Sequence, residues 1–253
     1  NNKNLNELDD FNNWKKKTKK LKKDPYYEFI KRANQKNLRF HLKIFNEVRR
    51  KVISKQLGID KNKIYTLRHE DCHKYYSLFS QQKINNKKKL IITIEGGGDD
   101  SSATVSTFIS GKIKERYKTN DAMLGRIYRY VTLLLGMKPG QHEYKVMGLA
   151  PYGSKYHGNY SYEHFNKYNK LNGIKILKNK SLKDIYFTSK KVLASERFDG
   201  IAWGLQKFTE DFLYNWISNC IKKFKINEVL LSGGVAQNIK AIKYLNEKKN
   251  IKS

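Results

Sequence analysis

Two histidines four residues apart, His69 and His73, bracket the stretch "HEDCH". On a helix, positions i and i+4 share a face, so both imidazoles can converge on one point, as half of a divalent-metal site. The bland reading is two partly exposed polar side chains beside Glu70 and Asp71. The same five letters also match the zinc-peptidase pattern HExxH, in which Glu70 would be the general base and a third ligand would come from downstream. No second peptidase signature follows. A second locus is "EGGGDDSS", Glu95 to Ser102. An acid at a strand end suits a metal ligand, and Gly97 and Gly98 would let a phosphate reach backbone N–H groups. Such a run is equally ordinary material for a hairpin turn. The third locus is "LLSGGVAQN", Leu230 to Asn238. A buried strand feeds Ser232, Gly233 and Gly234 and then a helix, whose N-terminal N–H groups favour a phosphate. Neither GxxxxGK[ST] nor GxGxxG is present, so this is not a P-loop or a dinucleotide fingerprint; a βα turn packed through glycine is the alternative.

The elements that must position these loci follow from periodicity. "LIITIE", 90 to 95, is a buried-type strand, with 103 to 110 and the segment after Gly111 as the next two strands. Residues 25 to about 57 show a helical pattern ending at Gly58, "KIYTLR" (63 to 68) is β-like, 69 to 82 is a helix, and "NNKKK" is a turn. Further helices are expected over 121 to 136 and 201 to 224, the latter with Leu205, Phe208, Phe212, Trp216, Cys220 and Phe224 every three or four residues. Between them, "HEYKVMGLAPYG" (142 to 153) reads as a rigid, apolar, glycine-punctuated loop around Lys145, and 154 to 198 shows no clear order. Interleaved strands and helices make the class α/β. Three segments are expected: an N-terminal helical segment (1–57), a first α/β lobe with the metal locus (58–200), and the start of a second lobe with the Gly-Gly loop (201–253).

Composition narrows the partners. The formal net charge is +29, but 43 of the 52 basic residues are lysine. Specific phosphate and base recognition relies on arginine forks, so the excess reads first as a lysine-biased surface and nucleic acid is not favoured. A small phosphorylated substrate would still profit from the positive field. Cys72 and Cys220 form neither a disulfide framework nor a zinc ribbon. The longest apolar runs fall far short of the roughly 20 residues of a membrane span, and a cytoplasmic location is expected. The absence of an initiator methionine suggests a piece of a longer protein.

The three loci in this order, with "LGRIYRYVTLLLGMKPGQHEYKVMGLAPYG" (124 to 153) between the last two, resemble the NodU/CmcH-type O-carbamoyltransferase family. Its N-terminal domain is related to the tRNA threonylcarbamoyl-transfer enzymes and has the actin–hexokinase-like (ribonuclease H-like) ATPase fold. The resemblance implies a divalent metal, iron by preference, on His69, His73 and Glu95. It implies nucleotide contacts at Gly97, Gly98, Gly233, Gly234 and Asn238, and a catalytic point charge at Lys145. It implies transfer of a carbamoyl group from carbamoyl-adenylate, made from carbamoyl phosphate and ATP, to the hydroxyl of a small-molecule acceptor. Two departures stand out: the family's first loop acid is aspartate where this chain has Glu95, and Glu-Asp-Cys replaces less acidic residues between the histidines. By the same resemblance an opening His-Asp strand is expected before residue 1, and a final metal-binding aspartate and a C-terminal domain after residue 253, so this fragment is expected not to be fully active alone. A degenerate, non-catalytic basic binding protein of the same fold is the main rival, and a metal-dependent peptidase the lesser one.

Overall fold

The computed structural model describes residues 38–81, 87–182 and 184–248. The chain divides into two compact units, 1–68 and 69–253. Among the described residues of the first, helix α1 (Leu38–Leu57) stops at Gly58, whose φ of +66° suits a residue without Cβ. A 3₁₀ turn (Lys61–Lys63) follows, capped by the Asp60 carboxylate, and the Arg50 guanidinium donates to the Lys61 carbonyl at 2.7 Å, tying turn to helix. The β-like reading of 63 to 68 is corrected here: no strand forms in that segment. It is too short to hold an extended conformation without a partner strand. The expected helical residues 25 to 37 and part of the "NNKKK" turn lie outside the described residues.

In the second unit, helix α2 (His69–Phe79) precedes strands β1 (Lys89–Ile94), β2 (Ala103–Ile109) and β3 (Lys112–Thr119). The β2–β3 hairpin turns through Ser110 and Gly111, both at positive φ, as a two-residue primed turn requires. Late in the chain, β6 (Val229–Ser232) joins the other side of β1, giving the order β3-β2-β1-β6. Its pairing with β1 is parallel, with Thr93 opposite Ser232. The segment expected to begin a second lobe thus shares its sheet with the first. All six residues of β1 are buried, as a central strand covered on both faces requires. On one face, Ile91 and Phe108 pack with Leu78 of α2. On the other, Leu90, Ile92, Ile94 and Val105 join the main core.

That core is covered by α3 (Leu124–Leu134) and α7 (Phe198–Phe224). Along α7, Leu205, Phe208, Phe212, Trp216 and Cys220 are all buried at helical spacing, and the helix ends at Lys225 in the left-handed region. Trp216 buries its ring while its indole N–H donates to the Ile174 carbonyl at 2.9 Å. The segment 154 to 198, left without order by the sequence pattern, forms α5 (Lys155–Asn166), the hairpin β4 (Asn169–Asn172) and β5 (Lys175–Lys178), and α6 (Ile185–Val192). The loop reading of 142 to 153 is also corrected. Glu143–Leu149 is helix α4, followed by a 3₁₀ turn (Ala150–Tyr152) with Pro151 in its first turn. Gly148 is tolerated within α4, and Pro151 falls where a helical turn accepts proline. A last helix, α8 (Ile239–Asn246), follows β6. Among the described residues no helix is long and apolar enough to cross a membrane.

Candidate metal centre and adjoining cavity

Parallel pairing of β1 with β6 brings two carboxyl ends of strands side by side, the place where α/β sheets bind ligands. Glu95 leaves β1 there, and the Ser232-Gly233-Gly234 turn leaves β6 beside it. Gly233 has φ +101°, and a Cβ on it would lie 2.5 Å from the Ile94 carbonyl oxygen and 3.1 Å from Glu95 Cγ. Only glycine fits this crossing of the two strand ends. A Cβ on Gly234 would sit 3.7 Å from Glu95 Oε2.

Helix α2 supplies the other two groups. His69 and His73 face each other one turn apart, with their Nε2 atoms 3.1 Å apart. His69 Nε2 lies 3.1 Å from Glu95 Oε1, and His73 Nε2 contacts the same oxygen. One donor atom from each of the three lies within 4.8 Å of the other two. Metal bonds of about 2.0–2.2 Å place neighbouring ligand atoms of a tetrahedral or octahedral shell roughly 3 Å apart, so this spacing fits a single ion. Two imidazoles and a carboxylate suit iron or zinc rather than calcium or magnesium. Ser232 Oγ lies 3.4 Å from His73 Nδ1. Such a contact leaves the Nε2 lone pair free when Nδ1 carries the proton.

Glu70 does something other than peptidase chemistry. Its side chain is 2% exposed, and its Oε1 accepts from the N–H of Asp100 (2.9 Å), the N–H of Ser101 (2.8 Å) and the Ser101 hydroxyl (3.2 Å). All three bonds fall on Oε1, and Oε2 is buried with no hydrogen-bond partner among the described residues, so the carboxylate is turned into the loop and away from solvent. In return, Asp99 Oδ2 accepts from the His69 N–H at 2.8 Å. The loop thereby caps the first turn of the helix that it faces.

A cavity of about 520 Å³ adjoins the triad at Glu95, with Tyr128, Glu143, Tyr144, Gly234 and Asn238 also in its wall. Behind it runs a closed polar network. The Tyr128 hydroxyl donates to Gln206 Oε1 (2.8 Å), Asn238 Nδ2 donates to the same oxygen (2.9 Å), and Gln206 Nε2 donates to Asn238 Oδ1 (3.1 Å) and Glu210 Oε1 (2.7 Å). Asn238 Oδ1 also accepts from the Ala241 N–H at 3.0 Å, capping α8. Burial pushes the Tyr128 phenol above its usual range, so it remains a donor.

Of the residues singled out by sequence, His69, His73 and Glu95 come together, and Gly233, Gly234 and Asn238 stand next to them. Gly97 and Gly98 lie farther along the loop, Gly97 towards Arg126 of α3 and Gly98 against Glu70 of α2. Gly97 is exposed, while the Gly98 N–H donates to the Ser101 carbonyl at 3.1 Å and a Cβ there would lie 2.6 Å from Glu70 Oε1. Lys145 is exposed on α4, 6.0 Å from the centroid of the Tyr144 ring, and does not line the cavity. Its neighbours Glu143 and Tyr144 do. Sequence reasoning passed over Tyr128, which reads as one more apolar position of α3, and over the Ser232–His73 contact, which has no local signal.

Two proteins from Methanocaldococcus jannaschii are similar to part of this chain. The uncharacterized protein MJ1051 is 31% identical over 133 residues, covering 51% of this chain and 26% of that protein. The uncharacterized protein MJ1058 is 32% identical over 126 residues, covering 47% of this chain and 20% of that protein. The matches therefore span about a quarter and a fifth of these two relatives. The sequence pattern described as the carbamoyltransferase N-terminus matches residues 3–252. The chain belongs to the carbamoyltransferase N-terminal family.

Proposed function

We propose that this chain is the carbamoyl-transfer part of a carbamoyltransferase, in which a carbamoyl group passes from carbamoyl-adenylate, made from carbamoyl phosphate and ATP, to a hydroxyl of a small acceptor. The observation that carries this reading is the convergence of His69, His73 and Glu95 at the strand ends, beside the Gly233–Gly234 turn and an open cavity. The two parallel strand ends and the glycine turn support an actin–hexokinase-like arrangement in which the nucleotide lies along β6 and the start of α8. A divalent metal held by the triad, iron by our reading, would supply Lewis acidity towards a carbonyl oxygen.

The chain's own groups have distinct tasks in this scheme. His69 and His73 present Nε2, and Ser232 Oγ, 3.4 Å from His73 Nδ1, is placed to accept a proton carried there, the tautomer that frees Nε2. Glu95 brings the negative charge that two neutral imidazoles lack. Gly234 leaves the cavity edge bare, so a phosphate or acyl group can approach the backbone closely. Tyr128 and Asn238 form a polar wall at the cavity's back. Glu143, whose Oε1 accepts from the Gly140 N–H at 2.5 Å, keeps a second carboxylate oxygen for an acceptor hydroxyl. Lys145, on the same helix, would offer its ammonium to an anionic group of the substrate. The rest of the longer protein would supply the adenylate.

Metal content tests the reading. Purified chain should carry about one iron or zinc per molecule, and a His69→Ala/His73→Ala double variant should carry none. Equal, negligible metal in both, even after incubation with ferrous or zinc ion, would sink the proposal and favour a non-catalytic binding protein.

A further inference from the structure

We infer that Glu70 is a positioning residue which latches the 95–102 loop onto helix α2 and so presets the distance between Glu95 and the two histidines. The inference rests on the metal reading above and adds a device to it. The triad comes from two elements with no covalent reason to stay in register: the histidines from the first two turns of α2, and Glu95 from the start of the glycine-rich loop. Glu70 lies next to His69 in α2, yet its carboxylate takes three hydrogen bonds from the far end of that loop, at Asp100 and Ser101. Asp99 reaches the other way, to the His69 N–H. The two contacts form a reciprocal clasp between one helix turn and one loop, like a capping box whose halves lie thirty residues apart.

The seat for this clasp is cut to fit. A side chain on Gly98 would meet Glu70 Oε1 at 2.6 Å and the Ser101 carbonyl at 2.5 Å. At the loop's other end, the Glu95 N–H donates to the Ser102 carbonyl at 2.8 Å, and the Arg126 Nε donates to the Gly96 carbonyl at 2.9 Å. A loop fixed at both ends and clasped to α2 holds the first carboxylate at a set distance from the imidazoles. Ligand groups preset in this way bind an ion without first ordering themselves. The acidic residue between the histidines, a departure from the family's usual pattern, thus has a physical use that needs no contact with the metal.

The test uses the 253-residue chain, freed of metal and titrated with cobalt(II), whose absorption bands report both affinity and coordination. Glu70→Ala should weaken cobalt binding about 10- to 100-fold, the range of outer-shell losses, and speed amide exchange at Asp100 and Ser101 in the metal-free chain. Glu70→Gln, whose carbonyl oxygen still accepts the same three bonds, should recover most of both. Unchanged affinity and unchanged exchange in folded Glu70→Ala would overturn the latch. Should that variant fail to fold, Ser101→Ala removes one of the three bonds, and wild-type affinity and exchange in it would overturn the proposal equally. If wild-type chain binds no cobalt, the metal reading falls instead, and amide exchange alone decides whether the clasp exists.

Discussion

Two polar constellations border the same cavity, one at Glu95 and the other at Tyr128 and Asn238, and they are built on opposite principles. In the network of Tyr128, Gln206, Asn238 and Glu210, each of the four hydrogen bonds described pairs a donor with an acceptor, and Gln206 is buried. In the triad, two imidazole nitrogens and a carboxylate oxygen converge on one another, all three able to act as acceptors, and the His69 side chain is 46% exposed. The first arrangement satisfies itself and holds α3, α7 and α8 together. The second leaves lone pairs aimed at a shared point and is completed by a cation or by protons. A saturated polar cluster braces helices; an unsaturated one at a cavity mouth has lone pairs left to offer.

The largest effect that sharpens this contrast is expected at Glu95. Glu95→Gln should cut cobalt or zinc affinity by more than about a hundredfold, beyond what an outer-shell change costs, without lowering the thermal midpoint of the metal-free chain. A fall in that midpoint alone would move Glu95 to the scaffold side. The mirror experiment is Gln206→Ala. It removes the partner of the buried Tyr128 hydroxyl and of the half-buried Asn238 amide, and should cost about 2 kcal/mol of stability in denaturant unfolding, with metal affinity unchanged. Loss of metal binding in a still-folded Gln206→Ala chain would show that the two constellations are not separable.

The smallest effect is a pH dependence remote from both. His164 is buried beside Ser189 and Tyr168, with its Nε2 3.0 Å from the Ser189 hydroxyl. Burial, aided by the charge of Lys167, depresses its pKa from 6.5 to about 4. The unfolded chain therefore binds this proton first. The stability owed to a neutral His164 is complete above pH 6.5 and is lost as pH falls towards 4. Between pH 7 and 5, roughly 1–2 kcal/mol should go, read as a lower denaturant midpoint, and His164→Gln should remove that slope. An unchanged slope in the variant would assign the acid sensitivity to other groups.

Much of this was legible in the chain. The parity of the β1 to β3 segments, the four-residue spacing of the histidines, and the apolar stripe of α7 are local patterns, and each appears where its period puts it. Three features were not legible. The helix at Glu143–Leu149 was hidden because Gly148 and Pro151 look like breakers, and about two turns of helix followed by a 3₁₀ turn accommodate both. The β4–β5 hairpin was hidden by lysine and asparagine, which carry no alternating apolar signal. Glu70 looked like the base of a peptidase motif because a sequence shows which residues are neighbours along the helix and not which loop lies over them.

By itself, the sequence determined the class, the strands of the four-stranded sheet, the long helices and the candidate ligands, because those depend on residue type and on periods of two or 3.6 within a few residues. Tertiary structure alone decided that β6 runs parallel beside β1, and therefore that Glu95, Gly233 and Gly234 meet although more than 130 positions separate them. It also decided that Glu70 faces the loop while His69 and His73 face Glu95. The physical reason is that an imidazole or a carboxylate has the same chemistry wherever it stands, while its role depends on which donors and acceptors the folded backbone brings within about 3 Å of it.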